Sequence, residues 1–182
     1  MIDNGPKLSQ INYSQLIMFQ VRPFVKMDFE CVQAIYQEGI DTGLATFQTE
    51  VKSWFEWDAS FLHDCRLVLL NENNRVCGWA ALSPVSSRCC YAGVAEVTVY
   101  MASDTRGYGG GEMLLNALVA CSEKHGIWTL KAGIFEQNKA SIRLHQKCGF
   151  KLLGIQEGLG KLGNRWINVA AMERRSKVVG ID

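Results

Sequence analysis

The stretch VTVYMASDTRGYGGGEMLLNALVACSEKHG, residues 97–126, decides how the rest of the chain is read. It passes from an apolar β-type run, through four glycines in the six residues 106–111, into a segment whose Leu114, Leu115, Leu118 and Val119 recur at helical spacing. Glycines between a strand and a helix let backbone N–H groups approach a ligand closely, and the helix N-terminus adds about half a positive charge. A corner of that kind suits phosphate.

Three phosphate motifs compete for it. A P-loop needs a Gly-Lys pair followed by Ser or Thr, and the chain has none. A dinucleotide fingerprint starting at Gly107 and Gly109 needs a third glycine where Glu112 stands, an acid that would repel a pyrophosphate. The third pattern, [QR]-x-x-G-x-[GA], is met by Arg106, Gly109 and Gly111.

On either side the chain alternates in type. LIMFQVR (16–22) reads as a first strand, and FECVQAIYQEGI after a candidate N-cap at Asp28 reads as a helix. GLATF (43–47) breaks that helix and leads to a second helical segment around 50–63. Two β-type runs, 65–70 and 75–82, flank a polar turn as a hairpin, and the loop SPVSSRCCYAG separates them from a further run at 94–101. The helix after the glycines should end near Gly126. A strand (127–135), a short helix (138–148), a strand beginning FKLLGIQEG, the turn GKLGN and a closing β-type run (165–174) complete a mixed α/β pattern without repeats. The expected organisation is one domain over 15–176, with loose tails at 1–14 and 177–182.

Composition narrows the partners. At 182 residues and 48% hydrophobic content the chain can bury a core of its own. A net charge of +1 gives no global field to draw it to nucleic acid or a membrane surface, so any anion must be held by local geometry. No apolar run approaches the roughly 20 residues of a membrane span. Seven cysteines, scattered through apolar stretches, are expected to be reduced thiols in a cytoplasm, with no metal site.

The RGYGGG loop, the order of elements and NKASIRLHQKCGF (138–150) together resemble the GCN5-related N-acetyltransferases. GLATF, GWAALSPVSSR (78–88), AEVTVY (95–100) and SIRLHQKCGF (141–150) are most similar to its phosphinothricin acetyltransferase branch. The resemblance implies an α/β fold with a mostly antiparallel, twisted sheet of about six or seven strands and about four helices. The runs at 94–101 and 127–135 should splay apart to admit acetyl-CoA. It further implies transfer of an acetyl group to the amine of a small amino acid or analogue, and a homodimer. A non-catalytic acyl-CoA sensor and a protein lysine or N-terminal acetyltransferase remain as alternatives.

Residue by residue, the family's general base falls on Glu96, in the apolar setting GVAEVTVYM where burial should desolvate it into a useful base. On an alternating strand it is also readable as a surface residue sharing a face with Thr98 and Tyr100. Val97 stands where several relatives carry a small polar residue or histidine. The coenzyme contacts carry over to Thr98, Val99 and Tyr100, to Arg106, Gly107, Tyr108, Gly109, Gly110 and Gly111, and to Asn138 and Ser141. Among them, backbone N–H groups around Val99 and Tyr100 would hold the thioester carbonyl. Arg106 is otherwise a solvated loop charge, and Asn138 an N-cap. His145 takes the place of the tyrosine that in many relatives protonates the leaving thiolate; it is equally readable as a histidine bonded within the fold. For the acceptor, Arg88 with Ser86 and Tyr91 would meet a carboxylate, and Thr46 and Phe47 would wall the pocket, Phe47 being equally readable as core. Val85-Ser86 stands where some relatives have Trp-Arg, so their acceptor contacts do not transfer.

Overall fold

In a computed structural model, which describes residues 18–181, the apolar runs pair into one seven-stranded sheet. In chain order the strands are β1 (Gln20–Pro23), β2 (Leu67–Leu70), β3 (Val76–Pro84), β4 (Val94–Met101), β5 (Thr129–Phe135), β6 (Lys151–Leu162) and β7 (Arg165–Arg175). The helices are α1 (Phe29–Asp41), α2 (Trp54–Ser60), α3 (Gly110–Lys124) and α4 (Lys139–Lys147). The sheet order is β1-β2-β3-β4-β5-β7-β6, and every neighbouring pair is antiparallel except β4 and β5. This is the expected mixed, mostly antiparallel architecture. The start of the expected first strand and the whole 1–14 tail lie outside the described residues.

The one parallel pair follows from the chain between its strands, since a crossover needs a dozen or more residues and α3 supplies them. Its ladder holds only three rungs, Val94 with Thr129, Ala95 with Leu130 and Glu96 with Lys131. β4 continues for five more residues and β5 for four without pairing to each other. The expected splay therefore begins one residue after Glu96.

Leu114, Leu115 and Leu118 of α3 and Val32 and Ile35 of α1 bury into one core with Val68, Leu69, Trp79 and Leu82. Truncating a leucine this deeply buried costs about 2–5 kcal/mol. A smaller cluster of Phe135, Ile167 and Val169, with Phe47 and Leu162 packed on it, stands beside β5, β6 and β7.

Four local expectations are corrected. Asp28 does not cap α1 with its side chain; its carboxylate takes two bonds of 2.7 Å from Arg22 and one of 2.8 Å from Val25 N–H. The second helix is shorter than the expected 50–63, because Ser53 and Glu56 close a capping box at its start. β6 runs on to Leu162, so the turn shrinks to residues 163–164, where Gly163 has a φ of +59°. Lastly, Cys65 and Cys121 are joined as a disulfide, while Cys31, Cys77, Cys89, Cys90 and Cys148 are free. Proximity between residues 56 positions apart leaves no trace in local sequence pattern.

Candidate functional site

The glycine corner splits into two kinds of position. Gly107 and Gly109 have φ of +88° and +86°, and a Cβ at either would meet nothing within 4 Å. Backbone handedness, not space, requires glycine there. Gly109 is the N-cap of α3 in that left-handed conformation. At Gly110 the constraint is packing, since a Cβ would stand 2.7 Å from Leu69 Cδ2 and 3.1 Å from Phe19 Cε2. Gly111 is held less tightly, with Leu144 Cδ2 3.4 Å from the Cβ position. The first N–H groups of α3, which no helical carbonyl can accept from, open at this bare corner.

Arg106 Nε and Nη2 both donate to Met101 O, at 3.1 and 3.0 Å, so one edge of the guanidinium ties the loop back to the end of β4. Its other edge is the part left for an anion. Arg106 and Tyr108 are exposed.

A cavity of about 900 Å³ joins this corner to the opening between β4 and β5. Thr98, Val99 and Tyr100 line it from β4, and Arg106, Gly107, Gly109 and Gly111 from the loop. Beyond Glu96 the β5-facing edge of β4 has no strand partner, which leaves main-chain groups there free for a ligand carbonyl. An elongated anionic thioester such as acetyl-CoA fits this arrangement of an N–H-rich corner at one end and open strand edge at the other.

Glu96 lines the same cavity, at its last paired rung. The expectation that it is buried among apolar neighbours is not met. Val97 and Ala95 are buried, but Glu96 itself is exposed into the cleft. Any desolvation of this carboxylate must come from a bound ligand. Gly133 of β5 faces it: a Cβ there would lie 3.6 Å from Glu96 Oε1.

The segment 44–48 roofs the cavity and is pinned at four points. Thr46 Oγ1 lies 3.2 Å from Tyr36 Oη, and Tyr100 Oη donates to Ala45 O at 3.3 Å. Asn138 Nδ2 donates to Leu44 O at 3.3 Å, and Phe47 packs edge-on against Phe135 with centroids 4.6 Å apart. Phe47 is thus both core and wall. Burial raises the pKa of the Tyr100 phenol, which keeps it a neutral donor.

Asn138 caps α4, accepting from Ser141 N–H at 3.1 Å. His145, on the next turn, lies in the cavity wall but is only 2% exposed. Its Nδ1 is 2.9 Å from Ser141 O, which fixes the Nδ1–H tautomer, and its ring packs edge-on against Phe150. Burial lowers its pKa, more than the bond to Ser141 raises it. It is a neutral imidazole with a bare Nε2.

Ser86, Arg88 and Tyr91 are not among the cavity's lining. Arg88 is exposed and stacks over the Tyr91 ring at 5.5 Å, with its N–H donating to Ser86 Oγ at 3.2 Å. The loop that carries them springs from Pro84, which pairs with Ala95 beside Glu96. Sequence reasoning missed Gln48, Gly133, Arg143 and Lys147, all of which line the cavity. Arg143 and Lys147 stand four apart on α4, a spacing that puts two cations on one helix face and was the available signal. Lys147 Nζ lies 3.5 Å from Glu112 Oε2, so the acid that spoils a dinucleotide motif is countered from α4.

Comparison with known proteins agrees with this geometry. The family model described as an acetyltransferase (GNAT) domain matches residues 22–170. The phosphinothricin N-acetyltransferase of Streptomyces coelicolor is 32% identical over 162 residues, covering 85% of this chain and 95% of that protein. An L-methionine sulfoximine/L-methionine sulfone acetyltransferase of Pseudomonas aeruginosa is 29% identical, covering 80% and 88%. The crystal structure of a GNAT superfamily phosphinothricin acetyltransferase from Sinorhizobium meliloti in complex with acetyl-CoA superimposes with a TM-score of 0.79 at 28% identity, covering 90% and 96%. The fold, the glycine corner and these matches place the chain in the GNAT acetyltransferase family, as an acetyl-CoA-dependent N-acetyltransferase.

Proposed function

We propose that the protein transfers the acetyl group of acetyl-CoA to the primary amine of a small amino acid or analogue, of the phosphinothricin or methionine sulfoximine and sulfone type, with donor and acceptor bound together. The observation that carries the proposal is the position of Glu96. Its carboxylate stands exposed where the sheet opens, in the same cavity as the glycine corner. The names of the relatives supply the acceptor class.

The bound donor supplies an acyl carbon activated as a thioester. The N–H groups of 107–111 hold its pyrophosphate, with Asn138 and Ser141 along its pantetheine arm. Main-chain N–H groups at Val99 and Tyr100 take up charge on the carbonyl oxygen. Glu96 removes a proton from the amine, directly or through a water, so that the neutral amine attacks. His145 can return a proton to the leaving thiolate only after its Nε2 has taken one up; otherwise solvent supplies it. Thr46 and Phe47 wall the acceptor, and Arg88, with Ser86 and Tyr91, on the loop that leaves β3 beside Glu96, is the candidate partner for its carboxylate.

A cytoplasmic location and a homodimer belong to the same reading. β6 is an edge strand whose Leu152, Leu153, Ile155 and Leu159 are exposed, as is Trp166 on β7, which makes this hairpin the proposed dimer face. Among the described residues no helix is long and apolar enough to cross a membrane.

The test is a panel of phosphinothricin, methionine sulfoximine, methionine sulfone, common L-amino acids and a lysine-containing peptide, each with acetyl-CoA, read by thiol release and product mass. Amine-dependent release with small amino acids is expected. Acetylation of the peptide alone would replace the acceptor class, and acetyl-CoA binding without turnover would favour a sensor.

A further inference from the structure

The far end of α3, away from the glycine corner, carries a second constellation. Cys65, two residues before β2, and Cys121, near the end of α3, form a disulfide with Cα atoms 5.5 Å apart. His125 caps the helix four residues beyond Cys121. Its Nδ1 is 3.5 Å from Cys65 Sγ, 3.7 Å from Cys121 Sγ and 2.9 Å from Cys121 O. Asp64 Oδ1 lies 3.7 Å from Nε2, on the opposite side of the ring. The Nδ1–H donates to Cys121 O, and the same nitrogen is the nearest ring atom to both sulfurs, with a carboxylate on the far side of the ring.

A cavity of about 640 Å³ opens beside them, lined by Lys26, His63, Arg66 and Lys124 as well as by the four residues just named. Among the described residues Asp64 is the only acid in that lining. The Arg66 guanidinium is occupied by Asp58 and by the carbonyls of Phe61 and Leu62, whereas Lys26 and Lys124 make no ion pair among the described residues. Lys26 lies over the Trp54 ring at 5.1 Å, which leaves its charge unneutralised, so two cations without an acidic partner among the described residues stand near a disulfide, an excess that suits a small thiol carrying carboxylates. Cys121 is half-buried and Cys65 buried, so Cys121 is the sulfur such a thiol can reach.

We propose that Cys65 and Cys121 are a reversible thiol–disulfide centre that exchanges with a small anionic thiol bound in this cavity. The thiolate of the small thiol attacks Cys121 Sγ; the Cys65–Cys121 bond breaks, and its electron pair leaves on Cys65 Sγ, 3.5 Å from His125 Nδ1, which can turn its N–H from Cys121 O to the new thiolate. A second small-thiol thiolate attacks the mixed disulfide and releases Cys121. Two small thiols leave as one disulfide, and their two protons end on the two cysteines. The reverse reaction with the small disulfide rebuilds the bond. In a reducing compartment a disulfide of this kind is a transient, exchanging one.

The test uses the full chain under non-denaturing conditions, with glutathione as the anionic thiol and 2-mercaptoethanol as the neutral one, read by alkylation and peptide mass. Both thiols should open the Cys65–Cys121 bond, glutathione through an adduct on Cys121, and glutathione disulfide should close it again. Lys124→Glu and Lys26→Glu should slow glutathione several-fold without slowing 2-mercaptoethanol; Lys124→Gln and Lys26→Gln serve if charge reversal impairs folding. His125→Gln should slow both thiols several-fold. A bond that opens only after denaturation overturns the proposal, as do cysteines that stay separately alkylatable in glutathione disulfide. Equal sensitivity of the two thiols to the lysine variants overturns it too. Reduced protein that binds zinc through these residues and resists glutathione disulfide would assign them to a metal instead.

Discussion

Glu96 faces Lys131 across the last rung of the parallel β4–β5 ladder, and the sheet opens directly beyond them. Both side chains are exposed, yet they form no ion pair within 4.0 Å. The carboxylate is thus left available to an amine entering the cleft. If Glu96 is the base, Glu96→Gln lowers kcat by about 10²–10⁴-fold, the usual contribution of general-base catalysis. Acetyl-CoA affinity should not change if the glycine corner, at the other end of the cavity, holds its pyrophosphate. Steady-state kinetics paired with calorimetric titration of acetyl-CoA checks this, and a fully active variant removes Glu96 from the chemistry.

The two kinds of glycine at the corner separate by substitution. Gly109→Ala forces an L side chain into left-handed backbone at a cost of about 1–2 kcal/mol. For a chain of this size each kcal/mol lowers Tm by about 2–4 °C. Gly111→Ala meets Leu144 Cδ2 at 3.4 Å and Met101 Cγ at 3.6 Å, both ordinary contacts, and gains helix propensity, so its Tm should hold or rise. If the corner N–H groups hold the pyrophosphate, acetyl-CoA binding should weaken in both, because each variant adds a methyl group to the lining of that corner. Thermal unfolding and acetyl-CoA titration of the two variants read the contrast; a Tm loss in Gly111→Ala larger than in Gly109→Ala would contradict it.

The fold was legible because one motif fixed the corner and the order of elements fixed the rest around it. The splay at Glu96 followed from the resemblance, since hydrophobic period alone does not distinguish a paired strand from one that parts from its neighbour. What escaped was long-range or local in ways a pattern cannot express. Cys65 meets Cys121 only once α3 has crossed back over the sheet. Asp28 sits where a cap belongs, yet Arg22, six residues earlier, claims its carboxylate. The exposure of Glu96, by contrast, was already open to reading in the alternation of its strand, which turns Ala95 and Val97 into the core and its own side chain to the cleft. Arg88 is near the right strand end, but nothing in the sequence reveals that it stacks on Tyr91 outside the cavity wall.

Lys147 and Glu112 give a charge test of the same site. Exposed pairs contribute about 0–1 kcal/mol to stability, so Lys147→Ala should barely move Tm. It does leave Glu112 unopposed beside the corner, and acetyl-CoA should then bind several-fold more weakly, the more so at low salt. Glu112→Gln on top of Lys147→Ala should recover most of that loss. Arg143→Ala, whose side chain has no acidic partner among the described residues, should weaken binding without any rescue by Glu112→Gln. Titrations at two salt concentrations decide the matter, and salt-independent losses would show that neither cation meets the donor's phosphates.

His145 makes the pH prediction. Burial lowers its pKa below the ordinary histidine value of about 6.5, outweighing the bond to Ser141 O. The unfolded chain then gains a proton near pH 6.5 that the folded chain resists, so the stability held above that pH is lost as pH falls through the folded pKa. Within that window the unfolding free energy should fall by up to about 1.4 kcal/mol per pH unit for this one group. Asp28 and Glu123 do not confuse the reading. Burial opposes their charge, but bonds from Arg22 and Arg174 outweigh it and hold both carboxyls low, so their contribution is lost mainly below about pH 5, as the unfolded carboxylates protonate. Denaturant unfolding of the parent and of His145→Gln between about pH 7 and 5 should show the slope in the first and its loss in the second. In turnover the same variant should lose only a few-fold in kcat at neutral pH, far less than Glu96→Gln, because a neutral imidazole with Nδ1–H committed to Ser141 has no proton on Nε2 to give. A loss as large as that of Glu96→Gln, with the pH slope of stability unchanged, would make His145 the acid and not a buried support of α4.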